Sequence, residues 1–198
     1  MKEVLKFFER CQCLRWIDRC SNTPHIKTYS VAQHSFYTAL YAMTFAHMEN
    51  ERLGYLAYNV PSIIQRAIIH DLEESVTGDI LYPLWNRNPK FKEKLDSIRN
   101  ECVDKEVFAE LPDETKRFYK LLWETAKDSS LEGIMISCMD KFEIVLYAMS
   151  ELELGNKAVV GLFRNAIRLI KAEFEIPSVL SVIKDIERTY IEISRDNL

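Results

Sequence analysis

The stretch Ala67 to Asp79 reads A-I-I-H-D-L-E-E-S-V-T-G-D, and it sets a histidine beside an aspartate inside an apolar helical run. Two glutamates follow, and after a Thr-Gly break comes one more aspartate. Burying a carboxylate beside an imidazole is costly unless hydrogen bonds or a metal compensate. His34 upstream and Asp140 downstream join His70 and Asp71 to make a set of two imidazoles and two carboxylates. Such N/O donors suit a divalent first-row metal better than calcium, which takes an all-oxygen shell. On an octahedral ion, a four-ligand set leaves room for water and a substrate phosphate oxygen. The ion would acidify that water and neutralise charge developing on the phosphoryl group. Glu74 and Asp79 are then the acids best placed to orient or deprotonate water, or to protonate the leaving oxygen. Arg15 offers a bidentate fork for phosphate, and Trp16 offers a ring either to stack on a base or to pack in the core.

These residues need helices to carry them. Val4, Phe7, Phe8 and Cys11 recur at helical spacing between Glu3 and Cys13, and the segment from Leu14 to Tyr29 is irregular. Ser30 with Gln33 forms a capping-box pattern ahead of a long apolar run, which predicts a central helix carrying His34. Pro61 fits the first turn of a helix predicted to continue through Asp71, so that His70, Asp71 and Glu74 approach one region of space. Thr77-Gly78 breaks that helix and lets Asp79 turn back. Ile80 to Pro89, with Tyr82, Pro83 and Trp85, reads as a loop on the rim. Lys90 to Leu111 reads as an amphipathic helix, with a shorter one after Pro112. Ser129-Ser130 opens a long helix in which Asp140 interrupts the core-facing stripe of Ile136 and Ile144, and Gly155 closes it. Two further helices are predicted, near Lys157 to Glu173 and Pro177 to Ile193. The architecture expected is all-α, a single domain over residues 1–198 formed as a helical bundle around a metal-centred pocket.

Composition narrows the function classes. A formal net charge of -4 argues against a broad nucleic-acid surface, yet permits a basic pocket for a small phosphorylated ligand such as a nucleotide. The first residues lack a long apolar segment and a small-residue cleavage site, so neither a signal peptide nor a membrane span is expected. Five cysteines do not suggest a disulfide framework and point to reducing cytoplasm.

The ordered set R-W, V-A-Q-H-S, H-D-L-E-E-S-V-T-G-D and M-D-K resembles the HD-domain metal-dependent phosphohydrolases. The resemblance is to their compact bacterial 5'-deoxynucleotidase branch and its phage relatives that act on deoxynucleoside triphosphates. It implies that His34, His70, Asp71 and Asp140 ligate one divalent ion, whether cobalt, manganese, magnesium or zinc. It implies catalytic roles for Glu74 and Asp79, a phosphate contact for Arg15 and a nucleoside contact for Trp16. A helical homo-oligomer with a deoxynucleotide substrate is also implied. The expected reaction is hydrolysis of 2'-deoxynucleoside 5'-monophosphates. The alternatives are a deoxynucleoside triphosphate triphosphohydrolase, which releases tripolyphosphate, and a nonenzymatic nucleotide-binding regulatory protein. The chain departs from the branch after the Thr-Gly-Asp turn: where Thr-Pro-Val-Lys is common there, it reads Leu81-Tyr82-Pro83-Leu84-Trp85. A phosphate-contacting lysine is thereby missing, and Lys27, Lys90 or an arginine would have to replace it.

Overall fold

The computed structural model describes residues 2–80 and 88–196. Helix α1 spans Lys2–Cys13, α2 Val31–Leu53, α3 Val60–Ile69, and the single turn α4 Glu74–Thr77. After residues 81–87, which lie outside the described residues and hold the predicted rim positions Tyr82, Pro83 and Trp85, α5 runs Pro89–Cys102. Then come α6 at Asp113–Glu124, α7 at Leu131–Glu153, α8 at Val160–Glu173 and α9 at Pro177–Asp196. Among the described residues the only extended pairing is an isolated antiparallel bridge between Asp18 and Ser30. No helix among them is long and apolar enough to cross a membrane. The all-α helical bundle expected from the periodicity is the fold observed.

Local chemistry sets the boundaries. At the start of α2, Ser30 accepts from Gln33 N–H while the Gln33 side chain accepts from Ser30 N–H, the reciprocal cap read from the sequence. Gly54, at φ 76°, closes α2 in the left-handed conformation that glycine adopts without a Cβ penalty. Asn59 caps α3 through Ser62 N–H, and Ser130 caps α7 through Gly133 N–H.

Two expectations are corrected. The helix predicted to continue through Asp71 ends at Ile69, with His70 as its C-cap. The chain then tightens, with Leu72 N–H bonded to Ile69 O and Glu74 N–H to Asp71 O, before α4 begins at Glu74. The helix predicted over Lys90 to Leu111 stops at Cys102 and widens into a π-turn, Val103–Val107, where Phe108 N–H reaches back to Val103 O. Burial of Val103, Val107 and Phe108 accounts for that widening, because it turns all three into the core.

Two apolar clusters meet at the middle of the molecule. The larger joins α2, α3, α7, α8 and α9 through residues such as Ala42, Ile63, Met139, Phe163 and Ile183. The smaller collects Phe7, Leu14, Val31, Ile69, Leu72, Val107 and Phe108 between α1, the π-turn and α6. Within α2 the seam falls between Val31 and Ala39, and His34 lies there. It passes α3 between Ala67 and Ile69, just ahead of His70 and Asp71. The irregular segment after α1 is fastened over this seam by Glu151 of α7, which is fully buried and accepts from the backbone N–H groups of Ile26 and Lys27.

Candidate metal centre

Small residues let the carrying helices approach. Ala39, Ala42 and Ala46 on α2 and Ala67 on α3 are all buried, and α7 packs against both. His34 in the first turn of α2, His70 at the end of α3, Asp71 just beyond it and Asp140 in the middle of α7 therefore converge. One ligand atom from each lies within 4.8 Å of the others. His34 Nε2 is 2.9 Å from Asp140 Oδ1 and 3.5 Å from Asp71 Oδ2, and His70 Nε2 is 2.9 Å from the same Asp71 Oδ2.

The far side of each ring is anchored. His70 Nδ1 is 2.7 Å from Ala67 O, a carbonyl that only accepts, so Nδ1 carries a proton and the ring is fixed with Nε2 towards the cluster. His34 Nδ1 lies 2.9 Å from Glu143 Oε2, and the buried Tyr29 hydroxyl donates to the same oxygen. Both Nε2 atoms are buried without a hydrogen-bond partner. Two imidazole nitrogens without hydrogen-bond partners, facing two carboxylates, fit a divalent cation, and the anchored Nδ1 atoms hold both rings with Nε2 towards the cluster.

Charge in the cluster is balanced by two cations. Arg19 is buried, its Nη1 3.0 Å from Asp71 Oδ2 and 3.7 Å from Glu74 Oε2, and its Nη2 3.8 Å from Asp140 Oδ1. Lys127 Nζ is 2.7 Å from Asp140 Oδ2 and 3.5 Å from Asp71 Oδ1. Burial would raise the Asp71 carboxyl, but His70, Lys127 and Arg19 outweigh it and hold it well below the usual carboxylate range. Asp140 is held down in the same way by Lys127, with Arg19 adding to it. Burial, helped by the Arg19 charge, pulls the His34 imidazole down to about 4, so that it is neutral at physiological pH. Both aspartates are thus ionised and His34 is unprotonated, as ligands must be.

The paired glutamates part company. Glu73 turns away, accepting from Trp123 Nε1 at 2.7 Å. Glu74 faces the cluster, and burial together with the Asp71 charge lifts its carboxyl well above the usual range. Its Oε2 is buried without a hydrogen-bond partner. Asp79, reached after Gly78 at φ 71°, accepts from Cys20 N–H at 3.2 Å.

Arg15 and Trp16 are placed elsewhere. Trp16 is 82% exposed, with the Arg15 guanidinium 5.8 Å from its ring centroid. Both line a cleft of about 630 Å³ with Ser30, Gln33, Phe36 and Tyr37. Tyr29 lines that cleft and also bonds the cluster through its hydroxyl, so it is the wall between the two. The arginine that meets the acids is Arg19, which the sequence reading missed. Arg19 N–H bonds Tyr29 O at 2.7 Å, and across the bridge Ile17 and Arg19 turn inward while Asp18 turns out. The alternation Ile17, Asp18, Arg19 was the available signal. Glu143 was missed too, although its spacing of three from Asp140 on one helix places both on the same face.

The family pattern described as 5'-deoxynucleotidase YfbR-like matches residues 6–189. The chain belongs to this family. A 5'-deoxynucleotidase of Photorhabdus laumondii is 26% identical over 150 residues, covering 76% of this chain and 75% of that one. Another, from Yersinia pestis, is 27% identical over 155 residues, covering 78% and 77%. Among solved structures, an HD-domain phosphohydrolase of Listeria innocua superposes with a TM-score of 0.73 at 22% identity, covering 98% of this chain and 99% of that one. A cyanophage S-2L HD phosphohydrolase, bound to dA and one catalytic zinc ion, gives a TM-score of 0.58 at 19% identity, with 95% and 96% covered. At those identities the two structures speak for the fold.

Proposed function

We propose that this protein hydrolyses 2'-deoxynucleoside 5'-monophosphates to deoxynucleoside and phosphate, with one divalent ion held by His34, His70, Asp71 and Asp140. The observation that carries the reading is the pair of partnerless Nε2 atoms, each on a ring fixed through Nδ1, facing two ionised aspartates. Membership of a 5'-deoxynucleotidase family supplies the substrate class. When bound, the ion acidifies water and polarises a phosphate oxygen. The protein's own residues do the rest. Glu74, buried and raised in pKa, takes the proton from the attacking water. Arg19 keeps Asp71, Asp140 and Glu74 together despite their repulsion. Asp79 is the second acid of the reaction, and it also fixes the turn at Cys20 through that residue's N–H. The cleft lined by Arg15 and Trp16 is the place proposed for the nucleoside. The same reading takes the protein as a cytoplasmic homo-oligomer, which light scattering on the eluting species tests.

The deciding experiment reconstitutes the metal-free protein with single metals, namely cobalt, manganese, magnesium and zinc. Each form is incubated with deoxynucleoside mono- and triphosphate panels, and the phosphorus products are identified by NMR. Inorganic phosphate from monophosphates is expected. Tripolyphosphate from triphosphates as the principal product would overturn the reading, and metal binding without turnover of any nucleotide would make the protein a regulatory binder.

A further inference from the structure

Lys127 lies outside every motif read from the sequence, between α6 and α7, and its ammonium reaches the metal cluster. Each aspartate divides its oxygens. Asp140 Oδ1 and Asp71 Oδ2 face the imidazoles, whereas Asp140 Oδ2 and Asp71 Oδ1 face Lys127 at 2.7 and 3.5 Å. The lysine side chain keeps 35% of its surface exposed, so part of it lies on the open side of the cluster while its ammonium is drawn in against the two aspartates.

The backbone beneath it is pinned on both sides. Arg66 of α3 donates to Thr125 O at 3.1 Å and to Ser130 Oγ at 3.0 Å, bracketing the turn. Asp128 accepts from Ser130 N–H at 3.0 Å, and Ala126 is buried. Gly133 completes the fit, since a Cβ there would come within 2.6 Å of Asp128 N and press into the turn. A lysine wanted only as a loose counter-charge has no need of so fixed a base.

Charge and geometry together point to an anionic ligand. A divalent ion among these residues already neutralises Asp71 and Asp140, and the ammonium is then not required for that purpose. An ammonium has three N–H donors, and only one is spent in a hydrogen bond to the cluster, on Asp140 Oδ2, while Asp71 Oδ1 is an ion-pair partner at 3.5 Å. We infer that Lys127 is a phosphate-binding residue, gripping the phosphate of the ligand from the open rim while the metal holds it from within. This rests on the metal centre proposed above, and it assigns the lysine that the stretch after Asp79 does not provide. Lys27 and Lys90, the candidates from sequence, make no ion pair with the cluster among the described residues, whereas Lys127 makes two.

The test uses probes that are not substrates, so its outcome is independent of which nucleotide is turned over. Metal-loaded wild type, Lys127→Met and Lys127→Arg are titrated calorimetrically with inorganic phosphate and with 2'-deoxyadenosine, and metal content is measured by mass spectrometry. Losing a charged hydrogen bond predicts a phosphate Kd raised about tenfold or more in Lys127→Met, with partial recovery in Lys127→Arg. Deoxyadenosine binding and metal stoichiometry should stay as in wild type. A phosphate Kd within twofold of wild type overturns the inference, as does equal loss of both ligands or an absence of phosphate binding by the wild type. Loss of metal from Lys127→Met also overturns it, because the lysine would then serve only to hold the acids.

Discussion

The Glu143→Gln substitution tests the centre without touching any of the proposed ligands. Glu143 is buried on α7, and its Oε2 receives the Tyr29 hydroxyl and lies 2.9 Å from His34 Nδ1. Burial pushes the carboxyl up to about 8, with the Arg19 charge opposing. A cation held at His34 Nε2 favours the opposite state, a carboxylate accepting from Nδ1–H. Glutamine keeps the volume and one acceptor oxygen, but it removes the negative charge and offers an amide that can donate to Nδ1. Donation to Nδ1 would place the imidazole proton on Nε2, where it blocks ligation. Carboxylate partners behind a ligating histidine are typically worth 10- to 100-fold in metal affinity, about 1.4 to 2.8 kcal/mol. The assay is competition of the metal-free protein against a chromophoric chelator at neutral pH, with circular dichroism and thermal melting as controls for folding. A Kd within twofold of wild type in a folded variant would refute the idea that Glu143 fixes the His34 tautomer.

Other perturbations separate the remaining roles. Asp71→Ala should abolish metal binding and turnover together, whereas Glu74→Gln should keep the metal and lose about 10²- to 10⁴-fold in kcat, as read by single-metal reconstitution and steady-state kinetics. Wild-type rates for Glu74→Gln at equal metal content would remove it from the chemistry. Trp123→Phe leaves buried Glu73 without its 2.7 Å donor and should cost about 1 to 3 kcal/mol in urea unfolding with unchanged metal affinity. The His34 pKa is about 4 folded against 6.5 unfolded, so between those values the unfolded chain binds the extra proton. The metal-free protein should therefore gain stability from His34 as pH rises through this window and lose it as pH falls towards 4. Urea midpoints of wild type and His34→Gln should converge on acidification, and parallel pH profiles would count against the assignment.

The sequence was informative where a residue's type conflicted with its pattern. His34, His70 and Asp140 are polar groups in apolar helical runs, and only a satisfied cluster makes such positions tolerable. Caps were equally legible, because Ser30 with Gln33 needs nothing beyond local chain. What stayed hidden was set by long-range contacts. Arg19 enters the cluster because Tyr29 and Glu151 hold an irregular segment over the seam. Lys127 enters because Arg66, far away in the chain, pins its turn. The adjacent pair Glu73 and Glu74 has no local feature that says which one faces inward; Trp123 on α6 decides it by taking Glu73.

The early end of α3 is the feature on which the centre turns. The helix ends at Ile69, the chain goes on in tighter turns closed by Leu72 N–H to Ile69 O and Glu74 N–H to Asp71 O, and Asp71 Oδ2 lies 2.9 Å from His70 Nε2. The His70 ring is itself bonded to Ala67 O, so the residue that needs its Nδ1 proton fixed also marks the helix end. The same break sends Glu73 and Glu74 to opposite sides, one to Trp123 on α6 and the other towards Arg19 and the aspartates. Its placement follows from the seam: Ala67 belongs to the larger apolar cluster, while Ile69 and Leu72 belong to the smaller one. A chain that must enter two clusters within a few residues cannot do so as one straight helix, and the polar residues at the bend are the ones left facing the gap between them.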